Sequence, residues 1–344
     1  MSTVNDGRPD KSMSELKLED LGWTAYIQQC GESADALLHK HAESFPARVV
    51  IAHGGTYVVL SEHGRERALL KGTLKRAVRM GSSGKPIVGD WVCAVSPSHS
   101  GAVVIEDILP RVTKFSRSQS GEHRSEQIVA ANIDAVFILT SMNEEFNLRR
   151  LERYATQAKV CGVPAVLVLT KSDVVSARNE KKYRNEVEKA IEGVPVHTTS
   201  AVTGKGIREL LRYFDVYKTI CLLGSSGVGK SSLVNQMLGD ERQQVCDIRD
   251  DGKGRHTTSH REMLMLPGGG LIIDNPGMRE IQLWDAQGEA IDDTFDDIIK
   301  LAKQCRFRDC RHLNEPDCAV KEAIASGKLQ EERLIAWHRL YDRE

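Results

Sequence analysis

The stretch LVLTKSD, residues 167–173, reads as a buried strand that closes on a polar T-K-x-D. Short apolar runs bounded by turn-forming residues suit a strand covered on both faces, and a carboxylate at the mouth of such a strand faces the ligand crevice of an open α/β sheet. The meaning of this stretch turns on a second one further along. GSSGVGKS, residues 224–231, fits G-x-x-x-x-G-K-S, follows the apolar strand TICLL and leads into the helical run SSLVNQML. Strand, glycine loop and helix in that order make a phosphate cradle. The glycines let backbone N–H groups turn inward, Lys230 reaches the β- and γ-phosphates, and Ser231 ligates Mg²⁺ at the positive end of the helix. The expected nucleotide contacts are therefore Gly224, Ser225, Ser226, Gly227, Val228, Gly229, Lys230, Ser231 and Ser232.

A phosphate loop does not select a base, whereas T-K-x-D does. Asp173 can accept two hydrogen bonds from the N1–H and N2–H₂ of guanine; adenine has no donors there and would leave the carboxylate unpaired. Lys171 lays its alkyl stem over the base plane and Ser172 completes the motif. Thr170 stands where most GTPases carry Asn, and its one hydroxyl is expected to brace the loop less well than an amide. HTTSAVTGKGI, residues 197–207, is similar to the S-A-x-T-G-x-G segment whose backbone contacts guanine O6, which nominates Ser200 and Ala201. GLIIDNPG ends an apolar strand in D-x-P-G, where Asp274 can hold Mg²⁺ through water and the Gly277 N–H can sense the γ-phosphate. GRHTT offers Thr257 and Thr258, one of which coordinates the metal when GTP is bound. Together these partial motifs around one strong one point to a Mg²⁺-dependent GTP site.

The order is unusual, because the base reader precedes the phosphate loop. In an open α/β sheet what matters is where the loops meet in space, and joining old termini while opening the chain elsewhere preserves every strand and helix. The order T-K-x-D, phosphate loop, Thr switch, D-x-P-G is therefore a circular permutation.

The 344 residues are 40% hydrophobic and 28% charged, with a net charge of −1. That length suits two or three domains, and a near-zero charge leaves nucleic-acid contact to local basic patches. No apolar run approaches the roughly 20 residues that span a bilayer. The opening MSTVNDGRPDKSMSELKLED lacks the apolar stretch of a secretory signal, so a cytoplasmic protein is expected. Residues 1–45 form an N-terminal extension whose first twenty or so read as a flexible tail outside the core. From 46 to 117 the runs ARVVIA, TYVVL, ERALLKGTL, VGDWVCAV and AVVIEDIL suggest five strands of a small barrel, OB-like in the first instance although SH3-like also fits. Residues 118–288 alternate buried strands with amphipathic helices, as in a doubly wound, mostly parallel sheet. Residues 289–344 are helical and interrupted by a cysteine cluster.

That cluster, CRFRDCRHLNEPDC, places Cys305, Cys310, His312 and Cys318 within one short segment. Three thiolates and an imidazole make a closed tetrahedral set for one structural Zn²⁺. Cys30, Cys93, Cys161, Cys221 and Cys246 are scattered and read as reduced thiols.

TKSD, SAVTGKG, GSSGVGKSS, GRHTT, DNPG and the downstream C-x₄-C-x-H-x₅-C, all behind a small N-terminal barrel, closely resemble the circularly permuted, small-ribosomal-subunit-dependent GTPases of the RsgA family (YjeQ/EngC). The resemblance covers nearly the whole chain from about residue 20. It implies an OB-fold, a permuted GTPase core, a zinc domain and a role in late maturation of the small ribosomal subunit; Thr at position 170 is tolerated in that family.

Ras-type enzymes orient the attacking water with a Gln directly after the D-x-x-G glycine. Here that residue is Met278, so intrinsic hydrolysis is expected to be slow and assisted by another group. Lys230 serves the phosphates, and His256 is the nearest candidate for the water; the plainer reading of His256 is a loop histidine that contacts phosphate or RNA. The partners implied are GTP and GDP, and the small subunit with its rRNA, met by Lys71, Lys75, Arg76, Arg79, Arg111 and Lys114, with Arg117 and Arg124 near the barrel's exit. A monomer with no membrane contact is expected. Two other readings compete: a nucleotide-gated RNA-binding module with incidental hydrolysis, favoured by Met278, and an ATP-using kinase-like enzyme, opposed by Asp173.

Overall fold

The computed structural model describes residues 16–41, 43–97, 101–118, 126–239, 261–275, 295–307, 310–313 and 315–341. The chain divides into two compact units, Met1–Gln282 and Leu283–Glu344.

In the first unit, a 3₁₀ turn at Leu18–Leu21 leads into helix α1, Trp23–His39. Contrary to the expectation of a tail outside the core, Leu16 and Leu18 are buried with Leu21, Tyr26 and Trp91 in one apolar cluster. The Trp23 and Tyr26 rings sit 4.8 and 5.7 Å from Trp91. Such aromatic clusters add directional contact to the area they bury.

Strands β1 (Phe45–His53), β2 (Thr56–Ser61), β3 (Gly64–Leu70), β4 (Trp91–Val95) and β5 (Val103–Ile108) form the barrel. They run in the order β1-β2-β3-β5-β4, and β4 returns to pair with β1. This five-stranded Greek-key closure, with β3 parallel to β5, is OB-like and sets aside the SH3-like alternative. One boundary differs from the sequence reading. The KGTL end of the third run leaves the sheet, because helix α2 spans Gly72–Arg79 and turns Leu74 and Val78, one helical turn apart, into the barrel core. The fully buried Arg48 ties the barrel to its surroundings: it donates to the Leu21 carbonyl, to Asn132 O at 2.8 Å and to Gly89 O at 3.4 Å.

After the hairpin β6 (Lys114–Ser118) and β7 (Glu126–Ala131) comes the α/β core. Its elements are β8 (Ala135–Ser141), α3 (Leu148–Val160), β9 (Ala165–Thr170), α4 (Ala177–Ala190), β10 (Val196–Thr198), α5 (Ile207–Leu211), β11 (Thr219–Leu223), α6 (Lys230–Leu238), β12 (Arg261–Met265) and β13 (Leu271–Asp274). The strand order is β10-β9-β8-β11-β13-β12, parallel except for β12, which is antiparallel to β13. Alternate side chains supply two cores: Val136, Ile138, Leu167 and Leu169 face one, and Phe137, Leu139, Val166 and Val168 face the other. A sheet covered on both faces explains why these strands read as unbroken apolar runs.

The chain steps outward through β8, β9 and β10, jumps back past β8 to β11, then continues to β13 on the other side. The phosphate-loop strand β11 is thus central although it comes late in the sequence, which is the permuted arrangement. At the far edge β12 pairs with barrel strand β1, Ile51 opposite Glu262 and Ala52 opposite Arg261, so barrel and core share one 11-stranded sheet.

The second unit contains helices Asp296–Ala302, Ala319–Ala325 and Glu331–Tyr341. Phe295, Ile298, Val320, Ala323, Leu329 and Leu334 form its small core.

Candidate nucleotide site and metal cluster

β11 ends at the phosphate loop, and the loop's first glycine has no substitute. Gly224 has φ +153°, and a Cβ there would lie 2.8 Å from the Leu139 carbonyl of neighbouring β8. Gly229 caps α6 with φ +96°. Lys230 opens the helix, and its Nζ turns back into the loop to donate to Gly224 O at 2.8 Å and Ser225 O at 2.9 Å. Burial pulls its pKa down while the Asp274 carboxylate opposes the change.

Asp274 ends β13 beside that lysine. Burial pushes its carboxyl up, Lys230 draws it down and Glu262, directly opposite on β12, raises it again. Among the described residues, Asp274 Oδ1 and Ser225 Oγ are buried without a hydrogen-bond partner. Native structures rarely leave such atoms unsatisfied. An unpaired carboxylate oxygen and hydroxyl beside a buried lysine and a glycine loop fit a Mg²⁺–phosphate group, which would supply the missing partners. Ser231 and Ser232 lie exposed in the first turn of α6, while Ser226 and Gly227 are exposed on the loop and Val228 is buried beneath it.

The T-K-x-D and S-A-x-T-G loops, after β9 and β10, close on the glycine loop after β11. Thr170 Oγ1, at the end of β9, donates to Val228 O at 2.5 Å, with Thr140 O also in reach at 3.2 Å. The hydroxyl therefore joins T-K-x-D to the phosphate loop directly. Lys171 takes a left-handed conformation, φ +61°, and Ser172–Val174 form a 3₁₀ turn that presents Asp173. The Ser172 N–H donates to Thr199 O at 2.9 Å, fastening this turn to the next loop. In that loop Ser200 Oγ donates to Asp173 Oδ1 at 2.5 Å and accepts from the N–H groups of Val202 and Thr203 at 3.2 and 3.1 Å. Sequence reading assigned Ser200 and Ala201 a backbone contact with the base, but missed that the Ser200 side chain bonds the Asp173 carboxylate. The S-A pattern was the available signal. Asn275 was also missed: it is buried, and its Nδ2 donates to Cys221 Sγ at 2.9 Å, holding the start of D-N-P-G against β11.

His256, Thr257, Thr258, Gly277, Met278 and Arg124 lie outside the described residues.

In the second unit the ligand atoms of Cys305, Cys310, His312 and Cys318 all lie within 4.8 Å of one another. Cys305 Sγ is 3.6 Å from His312 Nδ1 and 3.8 Å from Cys318 Sγ, and His312 Nδ1 is 3.3 Å from Cys318 Sγ. Thiolates about 2.3 Å from a tetrahedral ion stand about 3.8 Å apart, so the set can hold a metal ion. The structure also chooses Nδ1 as the inward nitrogen.

The basic candidates separate into two groups. Lys71 pairs with Glu106, Lys114 with Glu126 at 2.7 Å, and Arg111 clamps the fully buried Asp90 with two bonds of 2.7 Å. Lys75, Arg76 and Arg79 are exposed on α2, and Arg117 donates to Gln127 at 2.8 Å.

Residues 108–284 match the RsgA GTPase family, and a small ribosomal subunit biogenesis GTPase RsgA of Opitutus terrae is 40% identical over 94% of this chain and 89% of its own. The chain belongs to the RsgA GTPase family. A second RsgA, from Methanosarcina acetivorans, is 41% identical over 86% of this chain and 78% of its own. The crystal structure of YjeQ from Thermotoga maritima superposes with a TM-score of 0.60 at 28% identity, over 88% of this chain and all of that one. Family membership makes the chain a GTP hydrolase, and the permuted order of its loops belongs to the RsgA core. No helix among the described residues is long and apolar enough to cross a membrane.

Proposed function

We propose that this RsgA-family chain binds and hydrolyses GTP as an assembly factor that docks on the small ribosomal subunit late in its maturation and leaves after hydrolysis. The observation that carries the reading is the meeting of three separated loops at the carboxyl ends of β9, β10 and β11: Ser200 braces Asp173, and Thr170 braces the phosphate loop. The relatives' name, small ribosomal subunit biogenesis GTPase, supplies the partner.

In this reading Asp173 accepts the guanine N1–H and N2–H₂, with Lys171 over the base and Ala201 at O6. The inward N–H groups of residues 224–232 and the Lys230 ammonium hold the phosphates and offset charge at the β–γ bridge. Mg²⁺, when bound, neutralises phosphate oxygens; Ser231, Asp274 and Thr257 or Thr258 hold it. Gly277 senses the γ-phosphate. With Met278 in the water-orienting position, His256 positions the nucleophile, and turnover is slow without the ribosome. Zn²⁺ fills the cysteine–histidine set and is structural, since all four positions are protein ligands. Lys75, Arg76 and Arg79, exposed on α2, offer their charge to rRNA, with Lys71, Arg111 and Lys114 holding the barrel and hairpin that support them. The working unit is a cytoplasmic monomer, with a barrel at 46–117, a GTPase core at 118–288 and a metal domain at 289–344.

The test measures GTP and ATP turnover with and without purified small subunits. Strong stimulation confined to GTP is expected; equal ATP turnover, or no response to the subunit, overturns the reading. His256→Ala with unchanged stimulated turnover removes that residue's role alone.

A further inference from the structure

The two base-reading loops are joined a second time, by a carboxylate that belongs to neither. Asp173 is followed within three residues by Ser176, whose Oγ accepts the Asn179 N–H at 3.3 Å and caps α4. Glu180 lies in the first turn of that helix, so its backbone is fixed relative to Asp173. Its two carboxylate oxygens each accept from Lys205 Nζ at 2.7 Å, and Oε1 also accepts from Thr198 Oγ1 at 2.7 Å.

Thr198 and Lys205 stand at either end of the turn that carries Ser200 and Ala201. Lys205 closes the turn by accepting the Ser200 N–H on its carbonyl at 3.0 Å, and Ser200 reaches Asp173 at 2.5 Å. A closed circuit results, from Asp173 through α4 to Glu180, across to Lys205 and Thr198, and back through Ser200. The Glu180 side chain is only 16% exposed. Burial alone would push its carboxyl up, but hydrogen bonds from Lys205 and Thr198 outweigh it and hold it below the usual range.

We propose that Glu180 is a positioning residue for guanine selection: through Lys205 and Thr198 it sets the turn bearing Ser200 against Asp173 without touching the nucleotide. This rests on the guanine reading above. An ion pair with one exposed member contributes little to global stability, so the effect belongs in base discrimination and not in the melting temperature. Without Glu180 the turn loses the anchor shared by its two ends, and Ser200 no longer holds the carboxylate at the angle that accepts two donors from one base edge.

The experiment measures binding of GDP and inosine diphosphate to the full chain, as wild type, Glu180→Gln, Glu180→Ala, Lys205→Met and the Glu180→Ala/Lys205→Met double variant. Hypoxanthine lacks the 2-amino group and gives Asp173 one bond where guanine gives two. In Glu180→Ala and Lys205→Met the GDP preference should fall roughly fivefold, the worth of one hydrogen bond, and the double variant should be no worse than either single. The Gln variant keeps the shape of Glu180 while removing its charge; a smaller loss of preference there carries the test should Ala fail to fold. A preference unchanged in the variants, equal weakening of both nucleotides, or additive losses in the double variant overturns the proposal. Wild type binding both nucleotides equally would instead overturn the guanine reading itself.

Discussion

The Thr170 hydroxyl lies 2.5 Å from the Val228 carbonyl, so one hydrogen bond joins the end of β9 to the phosphate loop across a separation of 58 residues. Thr170→Val keeps the shape and removes the donor. Losing a single buried hydrogen bond costs about 1 kcal/mol, so GDP should dissociate about fivefold faster, read by displacement of a fluorescent analogue. Thr170→Ser, which retains the hydroxyl, should stay close to wild type.

Arg111 and Asp90 form a two-bonded pair in which the carboxylate is fully buried. Burial pushes the Asp90 carboxyl up, and Arg111 is the main opposing influence. Arg111→Ala therefore strands a buried acid and should cost about 3–5 kcal/mol in urea unfolding. Asp90→Asn in the same chain should recover part of the loss, a pattern that a residue serving only RNA contact would not show.

His197 bonds through Nε2 to the Tyr213 hydroxyl at 2.9 Å. Burial, followed by the nearby Arg184 charge, lowers its pKa from 6.5. The unfolded chain therefore takes up the proton first as pH falls. The contribution is present in full above about pH 6.5 and is lost as pH drops through the lower folded value. Urea midpoints between pH 8 and 5 should decline more steeply for wild type than for His197→Gln.

Cys310 belongs to a set that can hold a metal ion, in a unit whose own core is small. Cys310→Ser should abolish bound zinc by elemental analysis and remove the unfolding transition of residues 283–344, while GDP binding persists. A zinc-free variant that retains that transition would show the cluster to be dispensable for folding.

The sequence by itself located the loops and nominated their chemistry. Asp173, Lys230, Asp274 and the cysteine–histidine set follow from local rules, since a glycine loop between a strand and a helix binds phosphate wherever it falls in the chain. The five barrel strands and the permuted order were legible for the same reason. Tertiary structure decided which side chains those loops use to hold one another. It also drew Leu16 and Leu18 into the core, turned GTL from strand to helix α2, and committed Lys71, Arg111 and Lys114 to Glu106, Asp90 and Glu126. Neither Thr170 to Val228 nor Ser200 to Asp173 has a periodicity to betray it. Those contacts exist only because sheet order places the ends of β9, β10 and β11 together, and sheet order is set by packing across the whole core.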